Sequence, residues 1–264
     1  MSGCAFKNYG DETFKLQIAS HGKDVMWVPT KIEMTHEMFV MAKIRPEDLL
    51  YDLGSGDGVI PIEAAKKYGV RAVGIEYNPD LVALANRNAE RANVKNLVTF
   101  MQGDIFKEDF SNATVLTLYL GDSLNMKLKP QILKMKPGTR VLSNTFQMET
   151  WIPDDQIKIS SGEMAYLWIV PAQIDGNWQF SGIPNIDNAS LKILQKKQYF
   201  EGSIYEKNRP KISLESGKIF GDLIEFEFND QSVKYVFKGQ VSGTEIVGIL
   251  NNESNKQVIG RRLP

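Results

Sequence analysis

The chain has 264 residues, of which 42% are hydrophobic and 24% are charged. Its length fits one domain of about 150 residues plus a smaller module, with enough apolar residues for a sizeable core. The 31 basic and 32 acidic side chains nearly cancel, so there is no pervasive positive field and a nucleic-acid partner is not expected. No run approaches the roughly 20 apolar residues that span a bilayer, and no secretory signal is visible. These features predict a cytoplasmic protein without a membrane span.

Cysteine and histidine are scarce. Cys4 is the single cysteine, so it forms no internal disulfide, which fits a reducing compartment. His21 and His36 are too few to build a histidine-rich metal site, and no group of cysteines supplements them. We therefore expect no metal. Residues 1–25 show no sustained hydrophobic period and are predicted to be an irregular or loosely packed N-terminal arm.

Residues 26–171 alternate between short apolar runs and amphipathic segments. Met34, Met38 and Met41 recur at helical spacing after Pro29-Thr30. Strands are predicted over residues 49–53, 71–76, 97–102, 113–120 and 139–145, and helices over residues 59–68, from residue 79, and over residues 126–135. This alternation with short links is typical of a doubly wound, largely parallel α/β sheet. Two further runs without a helix between them, residues 156–161 and 164–171, predict an antiparallel edge hairpin.

The pattern changes in residues 172–264, where no convincing helix is visible. Short alternating runs are separated by turn signals such as Ser216-Gly217 and Asn229-Asp230. Strands are predicted around residues 191–193, 212–214, 224–228, 233–237 and 244–250. We therefore expect a small C-terminal antiparallel β domain, either a meander or a partly closed barrel.

A glycine-rich loop follows the first strand of the α/β region. Gly54 and Gly56 lack the β-carbon that would keep a ligand away from the backbone, and Ser55 lies between them. The N-terminus of the following helix offers unpaired N–H groups to an anion. Asp52, at the end of the strand, is suited to a cationic ammonium group, which a dinucleotide phosphate lacks.

Two more acidic residues end the next two strands. Glu76 follows the glycine loop by about 20 residues, where an acid accepts hydrogen bonds from ribose hydroxyls. Asp104 follows the third strand, where a carboxylate can accept from an adenine amino group; a turn or helix-capping role is the alternative. Because carboxyl ends of parallel strands meet at one edge of the sheet, the three acids predict one ligand crevice.

Three segments, Asp52–Gly58, Gly74–Pro79 and Gly103-Asp104, resemble motifs I, II and III of the seven-strand, class I methyltransferases that use S-adenosylmethionine (SAM). Trp27-Val28-Pro29-Thr30 and residues 115–120 resemble a narrower branch. That branch contains the seven-strand protein-lysine methyltransferases that act on mitochondrial proteins, such as the ATP synthase c-subunit enzyme, and their bacterial relatives. The resemblance covers about residues 26–170 and implies a Rossmann-like seven-strand sheet with SAM as cofactor.

The resemblance also implies a role for individual residues. It assigns Asp52 and the loop to the methionine end of SAM, Glu76 to the ribose and Asp104 to the adenine. Tyr77 and Ile105 would pack beside the adenine, and Pro29-Thr30 would close over the cofactor near the sulfonium. The full predicted cofactor set is Pro29, Thr30, Asp52, Gly54, Ser55, Gly56, Glu76, Tyr77, Asp104 and Ile105.

The acceptor side is defined by fewer residues. Tyr119, at the end of the fourth strand, is the best candidate for contact with the acceptor, with Asp122 and Asn125 behind it. Simple packing of Tyr119, or a helix-start role for Asp122, is the alternative reading. The expected function is methyl transfer to an amine, most plausibly a protein lysine. Two alternatives stay open: a small-molecule methyltransferase that uses the β domain for recognition, and a SAM-binding scaffold protein.

Overall fold

The computed structural model describes residues 9–20, 22–251 and 256–264, so Cys4 and His21 lie outside the described residues. The chain divides into two compact units, residues 1–168 and 169–264. We propose that these units are two domains, divided three residues before the boundary predicted after residue 171. Within the described ranges, no helix is both long and apolar enough to cross a bilayer.

The first unit contains one seven-stranded sheet in the order β3-β2-β1-β4-β5-β7-β6. The pairs that join β1 to β2 and β4, β2 to β3, and β4 to β5 are parallel, and β6 pairs with β7 antiparallel. The predicted α/β fold and its antiparallel edge hairpin are confirmed. The strands are β1 (Leu49–Leu53), β2 (Arg71–Glu76), β3 (Val98–Gln102), β4 (Val115–Leu118), β5 (Arg140–Asn144), β6 (Asp155–Lys158) and β7 (Met164–Ile169), and the helices are α1 (Ile32–Met41), α2 (Val59–Tyr68), α3 (Pro79–Arg91) and α4 (Asp122–Ile132).

Local sequence signals explain where the helices begin and end. Helix α2 is flanked by Gly58 and Gly69, whose positive φ angles of 84° and 69° favour glycine. Helix α3 begins after Asn78, whose side chain accepts a hydrogen bond from the Asp80 N–H. Helix α4 begins at Asp122, four residues before the predicted start. The chain turns at Gly121 (φ 101°) immediately before it, so the glycine and the acid that follows it are the true start signal.

The second unit is a closed barrel of eight antiparallel strands. Each strand pairs with the next along the chain, and β15 pairs back with β8. Of the two predicted forms, a meander and a partly closed barrel, the structure has neither edge and is fully closed. The strands are β8 (Gly176–Ser181), β9 (Ala189–Lys196), β10 (Tyr199–Tyr205), β11 (Ile212–Phe220), β12 (Leu223–Asp230), β13 (Val233–Ser242), β14 (Glu245–Leu250) and β15 (Gln257–Arg262).

Aromatic side chains fill the inside of the barrel. Phe226 and Phe237 stack with their ring centroids 4.6 Å apart, and Phe180 meets both edge to face. Room for these rings comes from glycine: a β-carbon on Gly248 would lie 2.5 Å from the Phe237 ring. An eight-stranded barrel is just wide enough for side chains to fill, and here they form the core.

One predicted turn in this unit is wrong. Ser216-Gly217 lies inside β11 rather than between strands. A β-carbon on Gly217 would come within 2.6 Å of the Phe200 ring, so the glycine permits close packing inside a strand. The turn predicted at Asn229-Asp230 lies two residues later, at Gln231, because β12 continues through Asp230.

The described part of the N-terminal arm is irregular but not loose. The Asp11 carboxylate accepts hydrogen bonds from Arg87 and Arg91 of α3, at 2.6 and 2.7 Å. These two guanidinium groups hold the pKa of Asp11 well below its usual range. Leu16 is buried against the apolar side of the same helix. Residues 19–27 then fold back on themselves, with the Ala19 N–H donating to the Trp27 carbonyl.

Candidate active site

A pocket in the first unit lies at the carboxyl ends of β1, β2 and β4. The glycine loop forms one wall and the turn of the N-terminal arm, residues 22–28, forms another. The pocket is lined by ten of the residues predicted to form the site: Thr30, Asp52, Gly54, Ser55, Gly56, Glu76, Tyr77, Asp104, Ile105 and Tyr119. The predicted convergence of three strand-end acids is therefore observed in the geometry.

The glycine loop needs its glycines for two reasons. Gly54 and Gly56 have φ angles of 76° and 54°, which L side chains rarely adopt. A β-carbon would also lie 2.7 Å from the Leu120 side chain at Gly54 and 2.6 Å from the Trp27 indole nitrogen at Gly56. Trp27 of the arm therefore covers the loop directly, a contact that the sequence pattern did not predict.

Asp52 is buried at the base of the pocket, with 3% of its surface exposed. The Thr117 hydroxyl donates to its carboxylate at 2.7 Å. Burial raises the pKa of Asp52 to about 7, the charges of Glu76 and Asp57 act in the same direction, and the Thr117 hydrogen bond opposes them. A cationic group beside Asp52 would favour its ionised form, so the residue suits an ammonium ligand.

Glu76 links the second strand to the glycine loop. One carboxylate oxygen accepts from the Gly56 N–H at 3.0 Å, and the other accepts from the Asn78 N–H at 2.9 Å. Each oxygen keeps a further lone pair for a ligand hydroxyl. Nearby, the buried Ser55 hydroxyl has no hydrogen-bond partner among the described residues, which is expected of a polar group whose partner is a ligand.

Asp104 is occupied by a residue that the sequence reasoning missed. The Lys23 ammonium lies 2.9 Å from the Asp104 carboxylate and 5.2 Å from the centre of the Tyr77 ring. The hydrogen bond from Lys23 is the main cause of a lowered pKa for Asp104. No periodicity or motif marks Lys23, because its position depends on how the arm folds back over the pocket.

Tyr119 lies on the opposite side of the pocket, with its ring centroid 5.9 Å from that of Phe146. Burial is the main cause of a raised pKa for Tyr119; the charge of Glu163 raises it further, and that of Lys31 opposes it. The phenol is therefore protonated at neutral pH. It can donate a hydrogen bond and offers an aromatic face to a ligand.

The structure does not bring the other two acceptor-side candidates into the pocket. Asp122 begins α4 and accepts from the Gln147 N–H at 3.0 Å. Asn125 is fully buried on the inner face of α4, where its amide donates to Ser143 and to the Phe146 carbonyl. Their placement beside an acceptor is therefore corrected, because their contacts are those of helix positioning and packing. Pro29 also does not line the pocket, although Val28 and Thr30 on either side of it do.

The sheet order, the glycine loop and the ring of strand-end acids define a class I SAM-dependent methyltransferase. The model of the ANTKMT methyltransferase domain matches residues 52–155. The chain is 39% identical to a protein-lysine N-methyltransferase of Saccharolobus islandicus over 57% of its own length and 97% of that protein. It therefore belongs to the same methyltransferase family as that enzyme.

Two further comparisons extend this result. A solved structure described as an RNA methyltransferase from Salinibacter ruber, in complex with S-adenosyl-L-homocysteine, is 47% identical, with a TM-score of 0.54; the match covers 56% of this chain and 96% of that one. The mouse adenine nucleotide translocase lysine N-methyltransferase is 33% identical over 49% of this chain and 56% of that protein. The chain is thus an enzyme with SAM as its cofactor.

Proposed function

We propose that this enzyme transfers a methyl group from SAM to the side-chain amine of a lysine in a protein. The observation that carries the proposal is the relationship to the Saccharolobus islandicus enzyme, which extends over 97% of that protein. The near-neutral balance of charge supports a protein acceptor rather than RNA, the acceptor named for the Salinibacter relative.

The residues of the pocket fit SAM along its length. Asp52 would hold the ammonium of the methionine part, while the glycine-loop backbone and the unpartnered Ser55 hydroxyl would hold the carboxylate at the start of α2. Glu76 would accept from the ribose hydroxyls. Asp104 would accept from the adenine amino group, with Tyr77 and Ile105 beside the ring.

When bound, SAM supplies a methyl group on a sulfonium, which leaves by in-line displacement. The residues of the chain therefore have to position the acceptor nitrogen and exclude water. A lysine amine attacks only after it loses its proton, and an apolar aromatic surrounding lowers its pKa. The rings of Tyr119 and Phe146 provide that surrounding, and the Tyr119 hydroxyl is available to orient the amine.

The acceptor is tested by incubating the enzyme with tritiated SAM and a cell lysate, then separating protein, RNA and small molecules. We expect label in protein and methyl-lysine after acid hydrolysis. Label in RNA alone would overturn the proposal and assign the acceptor named for the Salinibacter relative. Label in small molecules alone would overturn it in favour of a metabolite acceptor, with the barrel as a recognition module.

The cofactor residues are tested separately by calorimetric titration with SAM. We expect Asp104→Ala and Glu76→Ala to weaken binding strongly. Asp109→Ala is a matched control, because Asp109 is an exposed acid close to Asp104 in the chain that contacts only its own turn. Binding like that of the wild type in both site variants would contradict the assignment.

A further inference from the structure

An ion pair lies next to the acceptor side of the pocket. The Lys31 ammonium is 2.6 Å from a carboxylate oxygen of Glu163, and the Ser161 hydroxyl donates to the same oxygen at 2.7 Å. Lys31 directly follows Thr30, which lines the pocket. The Lys31 and Glu163 side chains are 50% and 37% exposed, so solvent and a partner can both reach this pair.

The charges of this pair reach the acceptor side itself. Glu163 and Lys31 act in opposite directions on the pKa of the Tyr119 phenol, which lines the pocket together with Thr30. No other charged group affects that phenol among the causes of its shift. Glu163 is therefore the carboxylate whose field is felt where the acceptor amine has to arrive.

The pair is not needed to hold its own turn in place. Glu163 follows the turn between β6 and β7, and that turn has a second contact with α1. Glu33 accepts from both the N–H and the hydroxyl of Ser160, at 3.2 and 2.9 Å. Glu33 thus holds the turn, while Glu163 is left to pair with an ammonium group.

We propose that Glu163 is a positioning residue that receives the ammonium of the acceptor lysine, which displaces Lys31. The inference rests on the proposed lysine acceptor. Lys31 presents the same chemical group as that acceptor and occupies its place in the free enzyme. The exchange replaces one solvent-accessible ion pair with another, so it costs little. The acceptor then gives its proton to water as its amine moves between Tyr119 and Phe146.

The test uses poly-L-lysine as acceptor and measures initial rates with tritiated SAM. Glu163→Gln should raise the acceptor KM about threefold to fivefold, which is the range for an exposed ion pair, with kcat and SAM affinity little changed. Lys31→Met should lower the acceptor KM, because it removes the competing ammonium. Glu163→Asp should restore part of the loss, since it returns the charge.

Glu33→Gln is the matched control, since Glu33 contacts the same turn but pairs with no ammonium. We expect it to leave the acceptor KM unchanged. If Glu163→Gln and Lys31→Met change KM in the same direction, or if Glu33→Gln matches Glu163→Gln, Glu163 only holds the turn and the inference is overturned. Failure of the wild-type enzyme to label poly-L-lysine would instead count against the lysine acceptor itself, and with it this inference.

Discussion

The two units of this chain bury different kinds of side chains. Of twelve buried polar or charged residues in the described part of the chain, ten belong to the sheet unit, and the barrel unit has only Gln198 and Ser203. The sheet unit buries Asp52 and Glu76 beside its pocket. The barrel instead buries a cluster of aromatic and aliphatic side chains.

This contrast separates the requirements of ligand binding from those of stability. A buried carboxylate is costly unless something pairs with it, so the sheet unit retains such groups where SAM supplies the partner. The barrel core holds no charged side chain and is filled by its own rings. Substitutions in the two units should therefore change different measurements.

The largest effect is expected from Phe226→Ala in the barrel. Phe226 contacts four other aromatic rings, and its truncation should lower the free energy of unfolding by about 3–5 kcal/mol. Calorimetric melting should show this loss, while titration with SAM should show unchanged affinity. A clear fall in SAM affinity would contradict the separation of roles between the units.

The reverse result is expected from Glu76→Gln. The substitution removes a charged acceptor at the ribose position, so SAM affinity should fall by about tenfold to a hundredfold, the range for hydrogen bonds to charged groups. The melting temperature should change little, because the amide oxygen still accepts from one backbone N–H. Glu90→Gln is the control, since Glu90 is exposed on α3. Loss of folding without a specific loss of binding would make Glu76 a structural residue.

The pH dependence of the sheet unit should follow Asp52, whose pKa burial raises to about 7. Between about pH 4, the ordinary value for an aspartate, and pH 7, the folded chain keeps a proton that the unfolded chain has lost. This carboxyl's contribution to stability is therefore lost as pH rises through that range. The ammonium of SAM favours the ionised form, so SAM affinity should rise about tenfold from pH 6 to pH 8. Asp52→Asn should remove this slope; a slope that persists would belong to another group.

The smallest effect is expected from Lys23→Ala. Lys23 occupies Asp104 and covers Tyr77, the two groups proposed to meet the adenine. Its removal should raise SAM affinity about twofold to fivefold, as expected for an exposed ion pair. Lys95→Ala is the control, because Lys95 forms an exposed pair with Glu90 away from the pocket. Weaker binding by Lys23→Ala would mean that the arm helps to hold the cofactor.

The sheet unit was predicted from the sequence more closely than the barrel. The bounds of β1, α2 and β2 match the predicted ones residue for residue, because buried parallel strands are continuous apolar runs that end at glycine loops. Barrel strands have one exposed face and weaker patterns, so β8, β10 and β15 were not predicted. Gly217 was misread as part of a turn, since a glycine that accommodates a ring looks locally like one that makes a bend.

The same distinction holds within the site. Asp52, Glu76 and Asp104 could be brought together from the sequence, because the ends of parallel strands meet at one edge. Lys23 and Glu163 could not, because they come from the arm and from the end of a hairpin turn, which tertiary contacts position. The buried orientation of Asn125 depends on which face α4 turns inward, and no strong apolar stripe marks that face.

The pairing of β15 with β8 has a consequence for how the chain is made. The sheet unit is complete in sequence before any barrel strand is synthesised, and domains generally fold in that order as they are synthesised. The barrel's two closing strands are its first and its last, so the seam stays open until Gln257–Arg262 has been added. Until then β8 and β14 have unpaired edges, which are prone to join other chains. Translation that stops before residue 257 should therefore release a finished SAM-binding unit attached to an aggregation-prone open sheet.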